Sequence, residues 1–98
     1  MNNISNLAVV QTDNIGVQVT ISEFTVIRPQ VSIGNGVVIH PHVVIESGVH
    51  IGDNVEIFPG AYLGKEPKGA GALAREPHFE RSVYIGDNCS IGPNAVIY

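Results

Sequence analysis

Several features are scarce or missing in this sequence. Its 98 residues hold one cysteine and no tryptophan, and only 14% of them are charged. The single cysteine, Cys89, excludes an internal disulfide bond and a cysteine-based zinc site. Five lysine and arginine residues against nine aspartate and glutamate residues give a net charge of −4, so we expect no nucleic-acid partner.

Long apolar runs are missing as well. No segment is apolar over the length that a membrane span requires. Residues 1–14 have neither the positive charge nor the apolar core of a secretory signal, so we expect a cytoplasmic protein. The apolar residues that are present are chiefly 12 Ile and 14 Val, with only 3 Leu. Because Ile and Val favour strands, and 11 Gly and 6 Pro disfavour helices, the composition predicts an all-β chain.

Isoleucine recurs at every sixth position. The first column of this repeat holds Ile15, Ile21, Ile27, Ile33, Ile39, Ile45, Ile51, Ile57 and Leu63, and it resumes with Ile85, Ile91 and Ile97. The fifth column is small or β-branched: Val19, Thr25, Val31, Val37, Val43, Val49, Val55, Ala61, Cys89 and Ala95. A helix needs a period of 3.6 and a half-buried strand a period of 2, so neither accounts for the pattern.

A longer period of three hexads is superimposed on the first. Gly16, Gly34 and Gly52 follow first-column isoleucines at this spacing, which predicts about four coils of three short strands each, with like residues stacked on like. We predict tight corners with positive φ at Gly36, Gly48, Asn54, Gly60, Asn88 and Asn94. Residues 1–14 are read as a lead-in and residues 15–98 as the repeat domain.

The repeat is interrupted by an insertion at positions 64–84. The hexad after Leu63 would begin at position 69, but the column resumes only with Ile85. Four of the five cations of the chain lie in this insertion: Lys65, Lys68, Arg75 and Arg81. Cations on a glycine-rich segment suit the recognition of phosphate groups. A solvated loop with local ion pairs is the alternative. We predict a substrate-binding site formed by Lys65, Lys68, Arg75 and His78.

The other histidines lie within the repeat. The three-hexad period stacks His40 on Phe58 and His42 on Phe24, and it places His50 between Ser32 and Lys68. These contacts are expected of surface residues of a stacked fold. Cys89 is expected to pack in the core. No pairing of a nucleophile with a base is evident in the sequence, so covalent catalysis is not expected.

The motifs Ile-Gly-Asp-Asn at 51–54 and 85–88, and Ile-Gly-Pro-Asn at 91–94, resemble those of the hexapeptide-repeat proteins. The resemblance covers residues 15–63 and 85–98, and it implies a left-handed parallel β-helix. The stretch from Ile57 to Asn88 is similar to the sugar acyltransferases related to the lipid A UDP-N-acetylglucosamine acyltransferase. In γ-class carbonic anhydrases, which share the repeat, paired histidines lie four residues apart; His40 and His42 do not match, so we expect no metal.

The resemblance implies transfer of an acyl group from acyl-CoA or an acyl-carrier protein to the amine or hydroxyl of a nucleotide-linked sugar. It implies a homotrimer with active sites between subunits and no resident cofactor. The catalytic histidine of that family lies beyond Tyr98, so the catalytic residue is unknown and we expect an N-terminal fragment of a longer enzyme, inactive by itself. The alternative is a non-catalytic β-helical module for trimerisation or scaffolding.

Overall fold

The structure, a computed structural model, describes residues 1–65 and 82–98. The described part contains thirteen short strands and no helix: β1 Asn3–Ile4, β2 Val9–Val10, β3 Thr20–Ile21, β4 Val26–Ile27, β5 Ser32–Ile33, β6 Val38–Ile39, β7 Val44–Ile45, β8 Val49–Ile51, β9 Glu56–Ile57, β10 Tyr62–Leu63, β11 Val83–Ile85, β12 Ser90–Ile91 and β13 Val96–Ile97. Within these residues no helix is long and apolar enough to cross a membrane.

The strands form three parallel sheets that are the sides of a prism. The first sheet has the order β1-β3-β6-β9-β12, the second β2-β4-β7-β10-β13 and the third β5-β8-β11. Between neighbouring coils the partners lie three hexads apart, as in the pairs Ile27–Ile45 and Ile39–Ile57. The chain is a left-handed parallel β-helix, and the predicted all-β class and repeat are confirmed.

Both predicted columns form the core. Fifteen apolar residues, all from the first and fifth columns, are buried: Val19, Ile21, Ile27, Val31, Ile33, Val37, Ile39, Val43, Ile45, Val49, Ile51, Val55, Ile57, Ala61 and Leu63. Full burial of one such side chain stabilises the fold by about 1.5–3 kcal/mol. Cys89 is partly buried against this core, as are Ile85, Ile91 and Ile97.

Three corners join the sheets, and residues in the left-handed conformation turn the chain at each of them. The six predicted positions, Gly36, Gly48, Asn54, Gly60, Asn88 and Asn94, all have positive φ. The first corner, between the first and second sheets, comprises turns 5–8, 22–25, 40–43, 58–61 and 92–95. The second corner joins the second and third sheets, and the third corner joins the third and first sheets. Phe24 and His42 also have positive φ, at 63° and 64°, which is uncommon for residues other than glycine.

The third corner is held by side chains that bond to the coil before them. Asn35 Oδ1 accepts from Val17 N at 2.9 Å, Asp53 Oδ1 from Asn35 N at 2.8 Å, and Asp87 Oδ1 from Asp53 N at 2.8 Å. Each bond satisfies a backbone N–H that the sheet ladders leave free at the turn. The Asp and Asn residues of the hexad motif therefore have a structural role.

Two segments depart from the regular spacing. β1 and β2 lie within residues 1–14 and already pair with β3 and β4, at a spacing one position short of three hexads. After the insertion, β11 pairs with β8 and sets Ile85 opposite Ile51, so the column resumes where the sequence predicts. β11 begins at Val83, so the last two residues of segment 64–84 belong to a strand.

Candidate functional site

The first corner carries two stacks of aromatic rings. Phe24 stacks on His42 with ring centroids 5.3 Å apart, and His40 stacks on Phe58 at 5.0 Å with an interplanar angle of 9°. Both predicted stacks are confirmed. They form because residues at the same position of successive turns lie one coil apart, a distance that suits stacked rings.

His40 also contacts a carboxylate. Its Nε2 lies 2.9 Å from Glu56 Oε2, and the two side chains are 32% and 44% exposed. Glu56 is an outward residue of β9. When Nε2 donates its proton to Glu56, Nδ1 remains as the acceptor. A histidine oriented by a carboxylate and open to solvent is an arrangement that general-base catalysis uses.

The sequence analysis missed Glu56 as a partner of His40. The two residues are less than three hexads apart, because the contact runs diagonally to the next coil. The alternation of side chains along a strand could have revealed this contact. Because Ile57 points into the core, its neighbours Glu56 and Phe58 both point outwards. Glu56 therefore lies near His40, the residue stacked on Phe58.

Thr25 fixes the turn that carries His40. Its hydroxyl donates to the His40 carbonyl oxygen at 2.8 Å and accepts from Val43 N at 3.3 Å. In the equivalent turn one coil later, Ala61 N bonds directly to the Phe58 carbonyl oxygen. Thr25 is fully buried, and it is the buried polar residue of the described core. The Thr25 hydroxyl therefore bridges two backbone groups of this turn, whereas the equivalent groups one coil later bond to each other directly.

The insertion leaves the coil at the second corner. Gly64 has a φ of 83°, and the N–H groups of Gly64 and Lys65 both donate to the Ile97 carbonyl oxygen, at 2.7 and 3.0 Å. Lys65 Nζ lies 5.5 Å from the centroid of the Tyr98 ring, within the range of a cation–π contact. The other predicted binding residues, Lys68, Arg75 and His78, lie outside the described residues.

A polar cluster lies beside this exit. Tyr62 donates from its hydroxyl to Glu46 Oε2 at 2.7 Å, and Arg28 Nε lies 3.7 Å from Glu46 Oε1. The hydrogen bond to Glu46, with smaller contributions from desolvation and from the charge of Glu46, raises the pKa of Tyr62 above its ordinary value. Glu46 thus connects the second sheet to the corner from which the insertion departs.

The third sheet carries another histidine contact. Ser32 Oγ lies 2.8 Å from His50 Nδ1, and Tyr84 stacks on His50 at 4.7 Å. The contact with Ser32 follows the predicted register. The prediction that Lys68 stacks on His50 is wrong, because the residue in register with His50 on the next coil is Tyr84. This predicted contact brings a hydroxyl and a base together, whereas the sequence analysis expected no such pair.

No group of three or more His, Cys, Asp or Glu residues in the described part could hold a metal ion. The pair His40–Glu56 and the contact of His50 with Ser32 lie on different sheets. The described side chains therefore offer proton transfer, hydrogen bonding and ring stacking.

The sequence matches the family model described as bacterial transferase hexapeptide (six repeats) over residues 14–47 and 31–65. The chain belongs to this family. A comparison with curated proteins returned no match. The matched hexapeptide repeats contain the turn of His40, its partner Glu56 and the exit of the insertion at Lys65.

Proposed function

We propose that the protein, at its natural length, carries out acyl transfer from a CoA or acyl-carrier thioester to the amine or hydroxyl of a nucleotide-linked sugar. Membership of a transferase family supports the reaction class. The 2.9 Å contact of His40 with Glu56 is the observation that supports a catalytic site at His40. Direct acyl transfer needs a base, and the His40 side chain is oriented by Glu56 and 32% exposed.

In the proposed reaction His40 Nδ1 accepts a proton from the attacking amine or hydroxyl. The nucleophile forms a bond to the thioester carbonyl carbon, and the carbon–sulfur bond breaks when the tetrahedral intermediate collapses. The proton then passes from His40 to the departing thiolate. Glu56 keeps the imidazole in the tautomer that leaves Nδ1 free and stabilises its protonated form.

The cations of the insertion are proposed to bind the phosphates of the nucleotide. Lys65 lies at the root of the insertion, and we assign the same role to Lys68, Arg75 and His78. The first and second corners lie at opposite ends of the strands of the second sheet. We propose that in a homotrimer the His40 corner of one chain and the cations of its neighbour's insertion belong to one active site. Because CoA and nucleotide sugars are cytoplasmic compounds, we place the reaction in the cytoplasm.

The test is release of thiol from acetyl-CoA in the presence of a nucleotide-linked amino sugar, using the protein at its natural length. Loss of a general base typically costs 10²–10⁴-fold in rate, so His40→Asn is expected to lower kcat by about that factor. Glu56→Gln is expected to lower kcat by less and to leave the acceptor KM unchanged. His50→Asn is the matched control on the third sheet. Equal losses in the His40 and His50 variants would refute the assignment.

One observation favours the alternative of a self-associating module. The outer row of the second sheet is Val9, Val26, Val44, Tyr62 and Val96, whereas that of the first sheet is Asn3, Thr20, Val38, Glu56 and Ser90. An apolar outer face suits contact with another copy of the chain.

The valine face can be tested with one pair of variants. Val44→Lys places a charge on the second sheet, and Val38→Lys places the same charge on the first sheet at an equivalent level of the stack. If the chain is a self-associating module, we expect Val44→Lys to dissociate the oligomer in sedimentation equilibrium and Val38→Lys to leave it intact. Dissociation by both or by neither would count against this face.

A further inference from the structure

The ring of His40 has one contact on its edge and one on its face. Glu56 Oε2 lies 2.9 Å from Nε2, and Phe58 stacks on the ring with centroids 5.0 Å apart and an interplanar angle of 9°. Both groups come from the next coil, on either side of Ile57. Ile57 is fully buried and pairs in register with Ile39, the residue before His40. The core therefore sets where both contacts lie.

The two contacts restrain different motions of the ring. Rotation of a histidine ring about its Cβ–Cγ bond has only a broad preference, so the plane is fixed by neighbouring groups. In an imidazole Nε2 lies nearer than Nδ1 to the axis of that bond, so the hydrogen bond to Glu56 resists the rotation weakly. A parallel ring resists it directly, because rotation drives one edge of the imidazole into the stacked ring. Phe58 therefore fixes the plane of His40.

The other stack of the first corner has the face contact without the edge contact. Phe24 stacks on His42 at 5.3 Å with an interplanar angle of 24°, so these rings are less nearly parallel. In the part of the chain that the structure describes, no carboxylate bonds to the ring of His42. His42 is exposed, whereas His40 is half-buried. Of these two histidines, His40 is the one held at both its edge and its face.

The plane of the ring decides where the base acts. The lone pair of Nδ1 lies in that plane, so rotation turns it away from the acceptor, and a small misplacement of a reacting group lowers the rate strongly. We propose that Phe58 is a positioning residue that holds the ring of His40 so that Nδ1 faces the nucleophile. The inference rests on the proposed function, in which His40 is the base. Phe58 acts through His40 and takes no part in the transfer of the proton.

The test compares three variants of the protein at its natural length. Phe58→Leu keeps an apolar side chain and removes the ring, and Phe58→Tyr keeps the ring. Phe24→Leu is the matched control, because it removes the ring of the other stack in the same corner and leaves Phe58 in place. Acyl transfer is measured by release of thiol from acetyl-CoA, and circular dichroism checks that each variant folds.

A second readout follows the His40 ring in the absence of substrate. The NMR chemical shifts of its two ring nitrogens show which of them holds the proton, and the spectrum of the His40→Asn variant identifies the signals. The spectra are recorded at about pH 9, so that the neutral ring is observed. A role of Phe58 in folding alone would leave these shifts unchanged in a folded variant.

We expect Phe58→Leu to lower kcat by about two- to tenfold, as the usual strength of an aromatic stack implies, and to leave the acceptor KM unchanged. In the same variant the nitrogen shifts should move from those of the Nε2–H tautomer towards an average of both tautomers, because the ring rotates away from Glu56. Phe58→Tyr and Phe24→Leu should match the unmodified protein in both readouts.

An unchanged kcat or unchanged nitrogen shifts in Phe58→Leu would overturn the inference, as would an equal loss of activity in Phe24→Leu. Equal losses in the two Phe58 variants would also overturn it, since one of them keeps the ring. If the unmodified protein transfers no acyl group, the proposed function fails. Nitrogen shifts that change only in Phe58→Leu would then support the positioning of His40 and refute the proposed reaction.

Discussion

Replacing Thr25 with valine tests whether its buried hydroxyl holds the turn of His40. The fifth column holds valine at six of the eight positions from Val19 to Ala61, so matching the column predicts that Thr25→Val stabilises the fold. The structure predicts the reverse. The hydroxyl bridges the His40 carbonyl oxygen and Val43 N, and the substitution leaves both groups without it.

The magnitude follows from the two bonds. A buried polar group left unsatisfied costs about 1–3 kcal/mol, and the added methyl group returns about 0.8 kcal/mol. The turn can also close directly, as Ala61 N does with the Phe58 carbonyl oxygen at 3.4 Å, which lowers the cost. We therefore expect a net loss of about 1–2 kcal/mol in the free energy of unfolding.

Urea unfolding followed by circular dichroism measures this loss as a lower midpoint at unchanged slope. A second pair isolates the hydroxyl: Thr25→Ser retains it and Thr25→Ala does not. Ala61 shows that the column accepts alanine, yet we expect the serine variant to be the more stable of the two. A valine variant at least as stable as the unmodified protein, together with an alanine variant at least as stable as the serine variant, would refute the reasoning.

Three further predictions concern other parts of the molecule. Glu46→Ala should lower the pKa of Tyr62 towards 10.0, which an ultraviolet titration measures. Because the pKa of Tyr62 is raised in the folded protein, the stability due to this hydrogen bond is complete below pH 10.0. It is lost as the pH rises through the pKa of Tyr62 in the folded protein. Gly34→Ala should destabilise the fold by about 1–3 kcal/mol, because its Cβ would lie 2.6 Å from the Gly52 carbonyl oxygen; thermal unfolding of the variant and of the unmodified protein measures the loss. Ile45→Ala should cost about 2–5 kcal/mol in urea unfolding, because the side chain is fully buried between Ile27 and Leu63.

The repeat made the fold predictable. A column of isoleucines at a fixed spacing can be buried only if successive coils stack, so the core follows from the sequence. The corner conformations follow where Gly or Asn marks them, but the positive φ of Phe24 and His42 was not predicted. The stacks of His40 on Phe58 and His42 on Phe24 followed from the same spacing.

The contacts that depart from the spacing could not be predicted in this way. The diagonal from His40 to Glu56 depends on where side chains point around the corner. Pairing of Tyr84 with His50 depends on how the insertion shifts the register. The N-terminal strands lie one position out of the period relative to β3 and β4, so the six-residue column does not reach them.

We propose that His40 is the base in transfer of an acyl group to a nucleotide-linked sugar by this member of the hexapeptide transferase family. The most direct measurement is mass spectrometry of a nucleotide-linked amino sugar after incubation with acetyl-CoA and either the unmodified protein or its His40→Asn variant. We expect an acetylated sugar nucleotide with the unmodified protein and a yield lower by at least about 10²-fold with the variant. Equal yields from the two proteins, or an unmodified acceptor with both, would contradict it.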